Sequence, residues 1–279
     1  MPVSHDVSAR RRAFRQLHAS GCFLIPNPWD PGSARYLEQL GFKALATTSS
    51  GAAWRHAKAD GQMRVEEVLV HLREMVAATT LPVNADFEAG FADDPEGVAR
   101  NVRLAVETGV AGLSIEDATG DPAVPVRDLP AAVERIRAAR RAIDEAGSET
   151  LLVGRAENFW LGRQDLDDTI RRLQAYAEAG ADCLYAPGLR TRAHIEAVVA
   201  AVAPKPVNLL VGAASEFSLR DIEAMGVRRV SVGGALARSA WGGFMRAAQM
   251  LASEGRFDGF ADAASGAELN ALFRERPGA

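Results

Sequence analysis

The stretch "TGVAGLSIED" (residues 108–117) decides the fold. It follows a segment, Pro95 to Thr108, in which Val98, Val102, Ala105 and Val106 recur on one helical face. Gly109 then supplies the left-handed residue that ends a helix. Gly112 to Asp117 reads as a short apolar strand finishing in two carboxylates. The same punctuation recurs outward in both directions: "LGFKAL", "AGADCL" and "MGVRRV" each place a glycine after an amphipathic segment and before an apolar run. Candidate strands lie at 22–27, 43–49, 82–88, 112–117, 151–157, 183–187, 206–211 and 229–233. Helices are expected from Ser33 to Gly41, Val65 to Ala78 and Pro95 to Thr108, and near 130–146, 165–179, 191–202, 218–225 and 235–253. Eight parallel strand–helix units without a linker predict an α/β fold, a (β/α)8 TIM barrel. A doubly wound open sheet is the alternative, but the glycine-rich phosphate fingerprint it usually carries after the first strand is missing. "VGGALA" near the last strand is too short to be one. The expected organisation is one domain over residues 1–279, with the barrel core at about 22–253 and a C-terminal helical tail at 254–279. Apolar clusters in that tail (Phe257/Phe260 and Leu269/Leu272/Phe273) suit packing or reaching a neighbouring subunit.

Composition bounds the function. Of 279 residues, 48% are hydrophobic and 24% charged, and the net charge of −4 points to no nucleic-acid partner. The cluster "RRRAFR" (Arg10 to Arg15) reads as a basic first helix with a solvated face. No apolar run reaches the length of a membrane span and no signal-peptide core begins the chain, so a cytoplasmic protein is expected. Cys22 and Cys183 sit at strand beginnings and read as packing residues, too few for a disulfide framework or a zinc site.

In such a barrel the active site lies at the C-terminal ends of the strands. Those ends carry Asn27, Trp29 and Asp30; then "TTSSG" (Thr47 to Gly51) with Asp60 in the following loop; then Asp86 and Glu88; then Glu116 and Asp117; then Arg155 and Glu157; and, in strand 7, Asn208. Asp86 and Glu88 stand two apart, so a continuing strand would put both on one face. Carboxylates from neighbouring strands, Asp60, Asp86, Glu88 and Glu116, favour a hard divalent cation, Mg²⁺ or Mn²⁺, held directly or through water. Asp30 and Asp117 read as turn-closing residues. Histidines are poorly placed for zinc, with only His56 in a strand-end loop. The lysines are Lys43, Lys58 and Lys205, and none is positioned as the desolvated amine that a Schiff-base aldolase requires.

At these residues the chain resembles the isocitrate lyase/phosphoenolpyruvate mutase superfamily, through "GFKALATTSSG", the Asp60 loop, "PVNADFEAGF" (82–91), "GLSIED" and "VGRAENF". The resemblance runs from "NPWDPGSARYLEQLGFKAL" to "RVSVGGALARSAW". It implies a barrel whose last helix is exchanged between subunits, in homodimers or homotetramers. It implies Mg²⁺ near Asp60, Asp86, Glu88 and Glu116, partly through water, and a small 2-oxo or 2-hydroxy carboxylate as substrate. That carboxylate would meet Thr48, Ser49 and Ser50, with Arg155 against the reacting end. Arg155, Glu116 and Asp60 form the expected catalytic set, and Asn208 joins the substrate-binding groups.

Departures from the family narrow the chemistry. The isocitrate and methylisocitrate lyase branches carry a Lys-Lys-Cys-Gly-His loop after strand 4. Here the region reads "EDATGDPAVPVRDL" (116–129), without Cys, Lys or His and too short for a long lid. The mutase branch follows its Glu-Asp with Lys, where this chain has Ala118. Glu88 replaces an Asp typical of several branches. The expected activity is therefore a Mg²⁺-dependent lyase or hydrolase cleaving a C–C or C–P bond of an oxaloacetate- or phosphonopyruvate-like acid through an enolate. The alternatives are a non-catalytic 2-oxo-acid-binding member and a metal-dependent aldolase.

Overall fold

The computed structural model describes residues 4–274. In chain order these form α1 (Ser4–Leu17), β1 (Phe23–Ile25), α2 (Pro31–Gln39), β2 (Leu45–Ala46), α3 (Ser49–Arg55), α4 (Val65–Ala78), β3 (Val83–Asp86) and α5 (Pro95–Glu107). There follow β4 (Gly112–Glu116), α6 (Leu129–Glu145), β5 (Leu151–Arg155), α7 (Leu166–Glu178), β6 (Cys183–Tyr185), α8 (Arg192–Val202), β7 (Val207–Leu210), α9 (Leu219–Ala224) and β8 (Arg229–Ser231). The chain continues as α10 (Ala235–Glu254), a 3₁₀ turn (Asp258–Phe260) and α11 (Gly266–Arg274).

All strand pairs are parallel, the order from β2 to β8 is sequential, and β1 lies beside β8. This is a (β/α)8 barrel, and a doubly wound order is excluded. Where β1 meets β2, the Ala46 N–H donates to the Pro26 carbonyl at 3.0 Å. The Asn27 carboxamide reinforces that seam: its Nδ2 donates to the Thr47 carbonyl, and its Oδ1 accepts from the amides of Val232 and Gly233, each at 2.9 Å. Helices begin where short polar side chains accept from backbone N–H groups three residues on, as Asp94, Asp128, Asp165 and Thr191 do. Asp30, read as a turn residue, caps α2 in this way.

Two apolar layers hold the barrel. One lies between sheet and helices, and includes Leu113, Ile136 and Leu184. The other fills the barrel's lower interior, with Ile25, Ala44, Leu151, Val153 and Cys183 around Phe14. Phe14 comes from α1, which closes the N-terminal end like a stopper. Gly112 makes room for it, because a Cβ there would lie 2.7 Å from the Phe14 ring and from Asn84 Oδ1. The basic face of α1 is less solvated than its charge suggests. Arg11 donates to the Val106 and Val110 carbonyls (2.7 and 3.0 Å), and Arg15 pairs with Asp182 at 3.0 Å. Cys183 is buried in β6, and Cys22 is half-buried just before β1.

The observed strands are shorter than expected at their C-terminal ends. "TTSSG" is not a strand end: β2 stops at Ala46, and Thr48 caps α3, its Oγ1 accepting from Gly51 N. β3 stops at Asp86, and Glu88 adopts φ +45°, so the two carboxylates are not strand neighbours on one face. α10 buries only Ala237. α11 returns to α2, where Gln39 Nε2 donates to the Leu272 carbonyl at 3.1 Å. Among the described residues no helix is long and apolar enough to cross a membrane.

Candidate active site

Asp86 ends β3 and is gripped from the neighbouring turn. Its amide donates to Thr47 Oγ1, and its Oδ2 accepts from the Ser49 amide, each at 2.9 Å. Thr48 Oγ1 and Ser50 Oγ lie 3.0 Å apart at the same corner. The corner is tight at Gly51, where a Cβ would come within 2.7 Å of Thr48 Cγ2 and 2.8 Å of Trp29 Cβ.

Arg155 ends β5, in register with Glu116 of β4. Its Nη1 lies 3.2 Å from both Asp86 Oδ1 and Glu116 Oε2, while its Nε donates to Glu157 Oε1. The guanidinium carbon stands 5.0 Å from the centre of the Tyr185 ring, a cation–π contact. The positive group between the acidic strand ends is therefore this guanidinium. Among the described residues, no group of three or more acidic, His or Cys side chains is placed to hold an ion directly. Of the two expected modes, direct or through water, a direct set of three carboxylates is not formed among the described residues, because Arg155 reaches into the space between Asp86 and Glu116.

One cation does not balance this site. Burial raises the Glu116 carboxyl well above its ordinary range; Arg155 counteracts this, and Glu157, Asp86 and Glu88 add to it. Burial, then the charges of Asp86 and Asp60, push Glu88 up to about 8. Asp60 is raised by burial against a hydrogen bond from Ser49, with Asp86 raising it further. Asp86, Glu116 and Glu157 thus lie against one guanidinium, and Asp60 and Glu88 are close enough to feel its charge.

A cavity of about 690 Å³ opens at this end of the barrel and brings together Asp60, Asp86 and Arg155. Thr48, Ser49, Ser50 and Asn208 also line it. Asn208 lies deep, bonded to Ser231 Oγ at 3.0 Å and to Arg229 Nε at 2.8 Å. Glu88 faces a separate hollow of about 280 Å³ beside Phe91, Thr119 and Arg127, and Glu116 meets the site through Arg155.

Asp117 is no exposed turn residue. It is 2% exposed, accepting from the Glu157 amide (2.8 Å), the Tyr176 hydroxyl (2.6 Å) and Arg172 Nη1 (3.2 Å). It and Glu157 belong to the machinery around Arg155; from sequence both are strand-end residues, Glu157 without a role and Asp117 as one that closes a turn. Glu157 pairs with Arg155 only two residues before it, whereas the partners of Asp117, Tyr176 and Arg172 of α7, leave no mark on local spacing.

Residues 14–252 match the phosphoenolpyruvate phosphomutase family. The chain belongs to the phosphoenolpyruvate mutase/isocitrate lyase superfamily. An oxaloacetate decarboxylase of Rhodopseudomonas palustris (strain BisB18) is 33% identical over 236 residues, covering 80% of this chain and 77% of that one. A Burkholderia cenocepacia J2315 crystal structure, described as a lyase/mutase, is 47% identical with a TM-score of 0.93, covering 98% of each chain. Oxaloacetate acetylhydrolase in complex with oxalate is 26% identical with a TM-score of 0.84, covering 95% of this chain and 94% of that one. The superfamily relatives are lyases and mutases, and this chain is an enzyme of that class. Within the superfamily frame, its loop after β4 is a small hairpin, with Ala118 bridged to Val126 and Thr119 N donating to the Pro125 carbonyl at 3.0 Å.

Proposed function

We propose that this barrel is a divalent-cation-dependent lyase or hydrolase that cleaves a C–C or C–P bond of a small 2-oxo acid, with oxaloacetate the first candidate. The observation that carries the reading is the fixed guanidinium of Arg155 beside Asp60 and Asp86 at the mouth of one cavity, with Glu116 and Glu157 against its other edges. The similarity to oxaloacetate decarboxylases and to oxaloacetate acetylhydrolase supports the substrate class.

The donor set fits a hard cation, since every group is a carboxylate or hydroxyl and burial with mutual repulsion raises the carboxyls. Asp86 would hold the ion, with Asp60, Glu88 and Glu116 contributing through water. Bound there, Mg²⁺ or Mn²⁺ supplies Lewis-acid polarisation of the 2-oxo group.

The chain's own residues do the rest. The Ser49 and Ser50 corner receives the substrate carboxylate with hydroxyl donors. Arg155 has its Nε committed to Glu157 and its Nη1 to Asp86 and Glu116; its Nη2 has no partner among the described residues and would face the substrate. Bond cleavage leaves negative charge on the oxo oxygen as an enolate. A preorganised guanidinium stabilises that charge as it develops, an effect worth roughly 3–4 kcal/mol per donor. Among the described residues no lysine lines the cavity for imine chemistry: Lys43 is exposed ahead of β2, Lys58 is tied to Glu67 at 2.6 Å and Lys205 to the Ala181 carbonyl at 2.8 Å.

The test is turnover of a panel of 2-oxo acids, with and without aldehydes, in Mg²⁺ and in EDTA. Metal-dependent cleavage that disappears in Asp86→Ala is expected. Oxalate binding with no turnover would instead favour a sensor, and aldehyde consumption with pyruvate an aldolase. Turnover unchanged in Asp86→Ala would overturn the assignment.

A further inference from the structure

Arg229 is 3% exposed, inside the barrel, and has no carboxylate within ion-pair distance among the described residues. Its hydrogen-bond partners are neutral: Asn208 Oδ1 on Nε at 2.8 Å, with Asn84 Oδ1 and His18 Nε2 on Nη1 at 3.4 and 3.5 Å. His18 has its Nδ1 on the Phe14 carbonyl at 2.8 Å, and burial together with Arg229 pushes it down to about 3, so its ring is a neutral acceptor. Burying an unpaired charge is costly, and proteins keep such groups where an anion can use them.

Arg229 also lines the large cavity. Barrel interiors of this kind are usually filled by bulky branched side chains. Here Ala46, Asn84, Ser114 and Ser231 line a well of small and polar groups that leads down to the guanidinium. The depth follows from register. Asn84, which touches Arg229, precedes Asp86 by two residues on the same face of β3, a rise of about 6.6 Å. That separation suits a short dicarboxylate with one end at the Ser49–Arg155 corner and the other hydrogen-bonded below.

We propose that Arg229, with Ser231 beside it, forms an anion subsite at the floor of the cavity and selects 2-oxo acids bearing a second carboxylate. The inference rests on the reading of the upper site given above. Nη2 of Arg229 makes no hydrogen bond among the described residues, and it is the donor for that second carboxylate. A buried lone charge at the bottom of the well also draws dianions over monoanions.

Calorimetry on the full-length protein in Mg²⁺ separates the two subsites. The probes are oxalate, which reaches only the upper corner, and 3,3-difluorooxaloacetate, which has a second carboxylate three bonds from the first. Arg229→Met is expected to weaken difluorooxaloacetate by tenfold or more and oxalate by less than threefold, with Arg229→Lys in between for the longer ligand. Circular dichroism confirms folding; if Arg229→Met does not fold, Arg229→Lys and Ser231→Ala carry the comparison. Equal weakening of both ligands, or none, overturns the subsite. Failure of both ligands to bind the unmodified protein overturns the reading of the upper site, and this inference with it.

Discussion

Glu157 illustrates how one buried side chain governs another. Its carboxylate accepts from Arg155 Nε, and its own amide is fixed by Asp117, which Tyr176 and Arg172 of α7 hold in turn. The guanidinium is therefore aimed by a chain of hydrogen bonds that starts on a helix. Glu157→Ala leaves Nε unpaired and is expected to lower kcat by roughly 10²-fold, comparable to losing one transition-state donor. KM for the 2-oxo acid is expected to move less than threefold. Glu157→Gln keeps an acceptor and is expected to restore most of the rate. Steady-state kinetics on variants matched for melting temperature provide the check; a loss of stability with kcat unchanged would make Glu157 merely structural.

At the scale of elements, α1 is a part of the barrel rather than an appendage. Phe14 is fully buried and fills the space that Gly112 leaves. Phe14→Ala should cost about 3–5 kcal/mol, read by urea denaturation. A loss below about 1 kcal/mol would show that the lower interior collapses around the gap. The order of elements was legible because glycine after each helix and apolar runs between amphipathic ones are local signals. "VEEVLVHLREMVAA" predicts Val65–Ala78, and the helix α4 has those bounds. What escaped was set by distant contacts. Thr47 and Thr48 look like strand by their β-branched composition, yet Asp86 of the neighbouring β3 draws the Ser49 amide into a helix start. Glu88 looks like a strand partner of Asp86 until the backbone turns left-handed. Asp60, Asp86, Arg155 and the Thr48–Ser50 corner were recoverable because strand ends face one mouth. Arg229 was not, since it begins its strand and only the well above it makes it reachable.

At the scale of the whole molecule, α10 leaves an apolar face uncovered. Trp241, Phe244 and Met245 are 40%, 62% and 60% exposed, and Phe257 and Phe260 continue the patch. A surface of this kind marks an association site, and we propose that a second copy of the chain covers it. Light scattering after size exclusion is expected to give a dimer or tetramer, and the double change Phe244→Glu with Met245→Glu to give monomers. A monomeric unmodified protein at micromolar concentration would refute this. The seam between β1 and β2 has a consequence of its own. Among the described residues, the Ala46–Pro26 bond and the Asn27 carboxamide are what tie those two strands, and Thr47 and Ser49 sit just past it. Slackening there would widen the mouth and unclasp Asp86 in one movement. A guest held by both the Ser49 corner and Arg155 would bridge the two rims and oppose that slackening.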